Sequence, residues 1–476
     1  MPFTPEQQAI IDCDAPRICA AAFAGTGKTT CCVGYAQART GKVLYLAYNK
    51  AIQLAARQRF PSHVICKTTH ALAFPTVGRL YSHKLGNLRK GDIASLLRVS
   101  FAQAGMVADT LTNYLCSADR AIELKHLPPE TDTKNFLELE TVLAGAKTLW
   151  SRMQNVDDDD VPMMHDGYLK LFSLTEPVLQ FDYVIFDESQ DANPVTWELV
   201  RHAKRLLVVG DQFQAIYGFR GARDAMAQMH DAERLYLTQS FRFGPRIANA
   251  ANLMLYWHGE PKRVVGAGPT LGTLSVDREK PYAEIGRTNM AVLESAFAAL
   301  EQKHRLHFVG GVENYRLQII EDGYRLFIGR QYEIKDRFIA KFSSLSALAD
   351  YALEARDSEM ALLAKIILAY QHRIPDLLRQ LRARCVDSMR DAHRIFSTAH
   401  KSKGLEYPQA VMLDDFKDLV DGGKLIPKDE IDPQEVNLMY VAATRAMEGL
   451  QLSAQYREYW DHMKRLWRAE RNAVAA

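Results

Sequence analysis

The stretch AAFAGTGKTT, residues 21–30, comes close to the pattern G-x-x-x-x-G-K-[ST] that cradles nucleotide phosphates, with Ala22 standing where the first glycine belongs. Gly25 and Gly27 leave backbone N–H groups free to approach phosphate oxygens. Lys28 supplies a positive charge at the β/γ-phosphates, and Thr29 offers a hydroxyl to Mg²⁺. A helix opening near Lys28 would turn its positive end toward the anion. Alanine is the smallest replacement for glycine, so the loop is expected to remain intact.

A second short stretch raises the weight of the first. In FDESQD, Asp187 closes an apolar run and Glu188 follows it. A carboxylate in the first position suits the Mg²⁺ shell, and one in the second suits polarisation of the attacking water. A solvated loop is the bland reading of an Asp-Glu pair, and a phosphate loop upstream weakens it.

Other apolar runs end just as abruptly in polar residues. RICAAAF runs into the glycine loop and KVLYLAY into Asn49 and Lys50, while HVICKTTH ends at His70, RLLVVGD at Asp211 and RIFSTAH at His400. Such runs, rich in Val, Ile and Leu and separated by helix-like segments, read as buried parallel strands. Ligands of open α/β sheets gather at the carboxyl ends of their strands. The spans between strands include amphipathic helical stretches, DIASLLRVSFAQAG and NFLELETVLAGAKTLW in the first half and a long one from about Ser343 to Cys385 in the second. The acidic run Asp157 to Asp160 reads as a solvated loop, since consecutive carboxylates rarely converge on one ion.

Composition sets wider bounds. A chain of 476 residues calls for more than one compact unit. Its 47% hydrophobic and 24% charged content is that of a globular protein. No apolar run is long enough to span a bilayer, and the opening MPFTPEQQAII shows no basic stretch followed by an apolar one, so secretion is not expected. Seven cysteines without a C-x-x-C pair argue against zinc and a disulfide framework, and favour a reducing compartment. A net charge of +2 names no partner, so any nucleic-acid surface is local.

FTPEQQAI, AFAGTGKTT, AYNKA, FDESQD, GDQFQAIYGFRGA, LTQSFRF, GRTN, STAHKSKGLEYP and NLMYVAATRA occur in this order. Together they resemble the motifs of superfamily 1A DNA helicases, the UvrD/Rep/PcrA-like group. In style they are similar to the F-box DNA helicase branch, with no F-box segment visible. The resemblance implies an α/β fold of two RecA-like parallel-sheet motor domains, each interrupted by a mostly helical insertion. Motor domain 1A would comprise residues 1–74 and 177–230 around insertion 1B at 75–176. Motor domain 2A would comprise 231–340 and 393–476 around a reduced 2B-like insertion at 341–392.

It also implies ATP and Mg²⁺ as cofactors and particular roles for residues. Ala24, Gly25, Thr26, Gly27, Lys28, Thr29 and Thr30 would hold the phosphates, with Thr29 and Asp187 at the metal. Gln7 would meet the adenine edge and Phe241, where the family usually has tyrosine, its face. Glu406 would bond the ribose. Glu188 would be the base and Gln214 the γ-phosphate sensor, with Arg242 and Arg445 reaching the γ-phosphate from the second motor domain. Asn49, Lys50, His70, Tyr217, Phe219, Arg220, Asn289 and His400 would line the DNA strand or link it to the nucleotide. Phe219 replaces the usual tryptophan, and Thr69 stands where the family often has an aromatic wedge.

The expected partners are single-stranded DNA and tailed or forked duplexes, with room for a nuclease, repair or replication protein and none for a membrane. The expected location is cytoplasmic in a bacterial, phage or plasmid setting, or nuclear in a eukaryote. The implied activity is ATP-dependent movement in the 3′ to 5′ direction with strand separation. A superfamily 1B motor of opposite polarity, a translocase that unwinds poorly and a nucleotide-switched binding module stay open as alternatives.

Overall fold

The computed structural model describes residues 2–128, 136–218, 221–222, 224–354 and 357–475. The chain divides into two compact units, Met1–Thr238 and Gln239–Ala476.

The first unit is built on a six-stranded sheet. Its strands are β1 (Arg17–Ala22), β2 (Val43–Ala47), β3 (Val64–Thr68), β4 (Tyr183–Phe186), β5 (Leu206–Gly210) and β6 (Glu233–Leu237), in the order β3-β2-β4-β5-β1-β6. Every pairing is parallel. The apolar runs feed both faces by simple alternation. Val43, Tyr45, Ala47, Ile185, Leu207 and Val209 enter the core that holds Ile18, Cys31 and Tyr35. Their neighbours Leu44, Leu46, Val184, Phe186, Leu206 and Val208 enter the other.

That second core also takes Val107, Leu111, Tyr114 and Leu115 from helix Phe101–Cys116, and Val142, Ala146, Leu149 and Met153 from helix Phe136–Gln154. The helical span between β3 and β4 therefore shares the sheet's own hydrophobic core. In the acidic run, Asp158 and Asp160 both bind Arg152, at 2.7 and 3.3 Å.

The second unit has a five-stranded sheet of its own. Its small parallel pair β7 (Gln239–Ser240) and β8 (Val265–Gly266) precedes β9 (Tyr282–Gly286), β10 (Leu306–Phe308), β11 (Arg394–Thr398) and β12 (Tyr407–Met412). The hairpin β13 (Val420–Asp421) and β14 (Lys424–Leu425) and the last strand β15 (Ala446–Gln451) follow. The main sheet runs β10-β11-β9-β12-β15, again wholly parallel. Between β10 and β11 lie helices Leu317–Phe327, Leu345–Glu354, Ser358–Tyr370 and Ile374–Arg384, of which the last two pack on helix Asn289–Glu301, placing Leu363, Ile367 and Leu378 in one core with Leu293 and Phe297. Among the described residues no helix is long and apolar enough to cross a membrane.

Candidate functional site

Ala22 is the last residue of β1, and the left-handed turns come later, at Gly25 (φ 75°) and Gly27 (φ 78°). The loop thus uses glycine's freedom where glycine is present, and asks only for a small side chain at position 22. Thr26 pins the turn by donating to the Phe23 carbonyl at 2.8 Å. Gly27 then caps helix Lys28–Gln37 with no side-chain hydrogen bond, so no side chain of the cap takes up the helix's first amides. Ala24 is buried, Thr29 is half-buried, and exposed Thr30 accepts from Arg59 at 2.9 Å.

The carboxyl ends of β1, β4 and β5 bring one cation and three carboxylates together. Lys28 Nζ lies 3.3 Å from Glu188. Asp187 is gripped on both oxygens: Oδ1 accepts from the Glu188 amide at 2.8 Å and Oδ2 from the Tyr45 hydroxyl at 2.5 Å. Burial, with the neighbouring Glu188 charge, raises Asp187 above the usual carboxylate range, against the pull of Lys28. Burial likewise pushes Asp211 up to about 6. Burial lowers Lys28, but the charges of Glu188, Asp211 and Asp187 outweigh it and hold the ammonium above its ordinary value. Glu188 sits in the left-handed region at φ 51°, a strained position for a residue with a side chain, of the kind that gathers at functional sites.

Gln214 is buried and donates to Asp211 at 2.7 Å. Gln7 completes a capping box with Thr4 and donates from its amide to the Thr26 carbonyl at 3.3 Å, so it braces the loop directly. Its neighbour Glu6 accepts from the amide and hydroxyl of Thr238, both at 2.7 Å.

The residues expected on the DNA side of the first unit are set on element ends. Asn49 caps helix Lys50–Arg59 by accepting from the Ile52 amide, and Lys50 is exposed. His70 pairs with Asp166 at 3.1 Å and stands edge-on to Tyr168; that hydrogen bond holds the Asp166 carboxyl below its ordinary range. Tyr217 stacks on Tyr48, with rings 6.3 Å apart and 10° from parallel. Tyr48 is 43% exposed and is the residue that sequence reasoning passed over, although it directly precedes Asn49 in AYNKA. Phe219 and Arg220 lie outside the described residues.

In the second unit Arg242 and Arg445 converge on Thr444, and Glu406 pairs with Arg242. Arg242 donates to Glu406 at 2.8 Å and to the Thr444 carbonyl at 3.0 Å. Arg445 is fully buried, donating to the carbonyls of Val441 and Leu405 at 3.0 and 3.2 Å and to the Thr444 hydroxyl at 3.2 Å. Phe241 is 38% exposed. Asn289 opens helix Asn289–Glu301, and its buried Oδ1 has no hydrogen-bond partner among the described residues. His400 lies half-buried in the short helix Ala399–Ser402 at the end of β11. A further brace there went unread in the sequence: Arg287 forks onto Glu435, and Asp415 accepts from the amides of Arg287 and Thr288.

Comparison with known proteins agrees with this layout. Residues 3–233 match the model of the UvrD/REP helicase N-terminal domain. F-box DNA helicase 1 of Gallus gallus is 32% identical over 94% of this chain and 49% of its own length. F-box DNA helicase protein 1 of Schizosaccharomyces pombe is 30% identical over 94% of this chain and 57% of its own. ATP-dependent DNA helicase PcrA of Staphylococcus aureus is 35% identical over a shorter stretch, 26% of this chain and 18% of that protein. The chain spans about half the length of the F-box helicases it matches. Its first unit therefore carries the UvrD/REP helicase N-terminal domain, and over almost its whole length the chain is similar to the F-box DNA helicases.

Proposed function

We propose that this chain is an ATP-dependent motor that moves along single-stranded DNA, 3′ to 5′, and separates strands. The observation that carries the reading is a cluster of buried Asp187, Asp211 and Gln214 with half-buried Lys28 and Glu188, in the same unit as a partly exposed stack of Tyr48 and Tyr217. A fuel site and a base-stacking platform are the two parts a single-strand motor needs.

The donor set fits a nucleotide with its metal. Hydroxyl and carboxylate oxygens suit Mg²⁺, and the uncapped helix start beyond Gly27 suits phosphate. Thr29 and Asp187 would hold the Mg²⁺, which would supply Lewis-acid polarisation of phosphate oxygens. Lys28 neutralises the β/γ-phosphates. Glu188 orients and polarises the attacking water, and Gln214 senses the γ-phosphate. Gln7 contacts the adenine edge, Phe241 stacks on the base and Glu406 bonds the ribose. Arg242 and Arg445 neutralise charge on the transferring phosphoryl group. Asn49, Lys50, His70, Tyr217, Phe219, Arg220, Asn289 and His400 track the strand. Motor domain 1A comprises residues 1–74 and 177–230 around insertion 1B at 75–176, and motor domain 2A comprises 231–340 and 393–476 around a reduced 2B-like insertion at 341–392.

Strand displacement on duplexes carrying either a 3′ or a 5′ single-stranded tail tests the reading. ATP-dependent displacement from the 3′-tailed duplex alone is expected. Displacement from the 5′ tail alone would make it a motor of opposite polarity. ATP turnover without displacement of either would leave a translocase.

A further inference from the structure

Gln190 is fully buried two residues beyond Glu188 and joins two segments of the first unit. Its amide nitrogen donates to Glu188 Oε2 at 2.6 Å and to Asp191 Oδ2 at 3.4 Å. Its amide oxygen accepts from the backbone N–H of Asp211 at 3.1 Å. The orientation of the amide follows from the chemistry: carboxylates can only accept, and a backbone N–H can only donate. Beyond it, Asp211 accepts from the Phe213 amide at 3.2 Å and from the Gln214 side chain at 2.7 Å. Three residues further along the same short segment, Tyr217 stacks on Tyr48.

Strand β5 is shaped around this side chain. A Cβ added to Gly210 would stand 2.6 Å from Gln190 Oε1 and 2.6 Å from Ser189 Oγ, closer than packed atoms approach. A glycine at the last position of a buried strand gives up packing, and here it makes room for the amide.

We propose that Gln190 is a positioning residue that couples the Glu188 carboxylate to the Asp211–Tyr217 segment, so that strand contact by that segment changes how Glu188 is aimed. The inference rests on the reading of Glu188 as the water-polarising group and of Tyr217 as a strand contact. One continuous path of hydrogen bonds, Glu188 to Gln190 to Asp211 to Gln214, ties the chemistry to the element that meets DNA. Gln190 touches no reacting atom. Its effect is exerted through the carboxylate it holds and the backbone amide it accepts.

The test compares the parent with Gln190→Met, a near-isosteric side chain that keeps the volume and loses all three hydrogen bonds, and with Gly210→Ala, which leaves Gln190 in place and crowds its oxygen. Three quantities are read: affinity for a non-hydrolysable ATP analogue, turnover without DNA, and turnover with saturating single-stranded oligothymidine. Gln190→Met is expected to keep analogue affinity within about twofold and to lose about tenfold in DNA-free turnover, the scale of one hydrogen bond to a charged group. Stimulation by oligothymidine is expected to collapse toward one. Gly210→Ala should move the stimulation ratio the same way by a smaller factor. If both variants lose turnover with and without DNA by one common factor, tracking a drop in melting temperature, Gln190 is only a core residue and the coupling role is overturned. If Glu188→Gln in parallel turns over ATP like the parent, the active-site reading itself has failed, which is a different result.

Discussion

The phenolic hydroxyl of Tyr45 donates a 2.5 Å hydrogen bond to Asp187 Oδ2, from the strand beside it in the sheet. The Glu188 amide holds the other oxygen, so the carboxylate is fixed in rotation before any ligand arrives. Burial raises the phenol well above its ordinary value, which keeps it a donor.

Tyr45→Phe keeps the ring against Phe60, 4.5 Å away, and removes only the hydroxyl. The variant should lose about 1–3 kcal/mol of stability from the buried carboxylate it strands. The Mg²⁺ concentration for half-maximal turnover should also rise, because the carboxylate is free to turn. Urea unfolding and an Mg²⁺ titration check the two parts, and an unchanged Mg²⁺ requirement would reduce Tyr45 to packing.

Arg445→Lys keeps a positive charge and loses the fork that reaches the Val441 and Leu405 carbonyls together. Since the guanidinium is fully buried, a modest loss of melting temperature is expected. ATP turnover should fall much further than ATP affinity, because charge neutralisation matters most in the transition state. Equal losses in the two would confine Arg445 to folding or ground-state binding.

Tyr217→Ala and Tyr48→Ala each remove one ring of a stacked, partly exposed pair. Stacking of a base on an aromatic is worth ~1–3 kcal/mol, so single-strand affinity should fall by up to about a hundredfold. DNA-free ATP turnover should stay close to the parent's. Fluorescence anisotropy with a labelled oligonucleotide reads the first, and a coupled ATPase assay the second.

Lys170 is buried, donates to the Ser117 carbonyl at 2.8 Å, and is pushed down to about 8 by desolvation. Its unfolded value is near 10.5. Between pH 8 and 10.5 the unfolded chain therefore holds a proton that the folded chain has released, and stability rises with pH across that window. Relative to Lys170→Met, the parent should gain up to about 3 kcal/mol from pH 8 to 10.5. Chemical denaturation of both at the two limits checks the sign.

Much of the first sheet was legible because its strands are buried on both faces and end in chemistry. Tyr183–Phe186 before Asp187 and Leu206–Gly210 before Asp211 are continuous apolar runs that nothing else explains. The strands Glu233–Leu237 and Tyr407–Met412 went unread because polar residues interrupt them, Arg234 in the first and Gln409 in the second. Site residues carried by contiguous motifs could be named from sequence. Tyr45, Gln190 and the Arg287–Glu435 brace could not, because their meaning lies in contacts across strands and far along the chain. The oddity of Ala22 also resolves only in three dimensions, where it proves to be strand rather than turn.

The central claim is that the cluster around Lys28 and Glu188 turns over ATP under the control of single-stranded DNA. Its most direct test is ATP turnover by the parent, Lys28→Ala and Glu188→Gln, each with and without a single-stranded oligonucleotide. The account predicts parental turnover that rises strongly with the oligonucleotide, and loss of turnover in both variants, with Glu188→Gln still binding ATP. Turnover at the parental rate in both variants, or parental turnover indifferent to DNA, would contradict it.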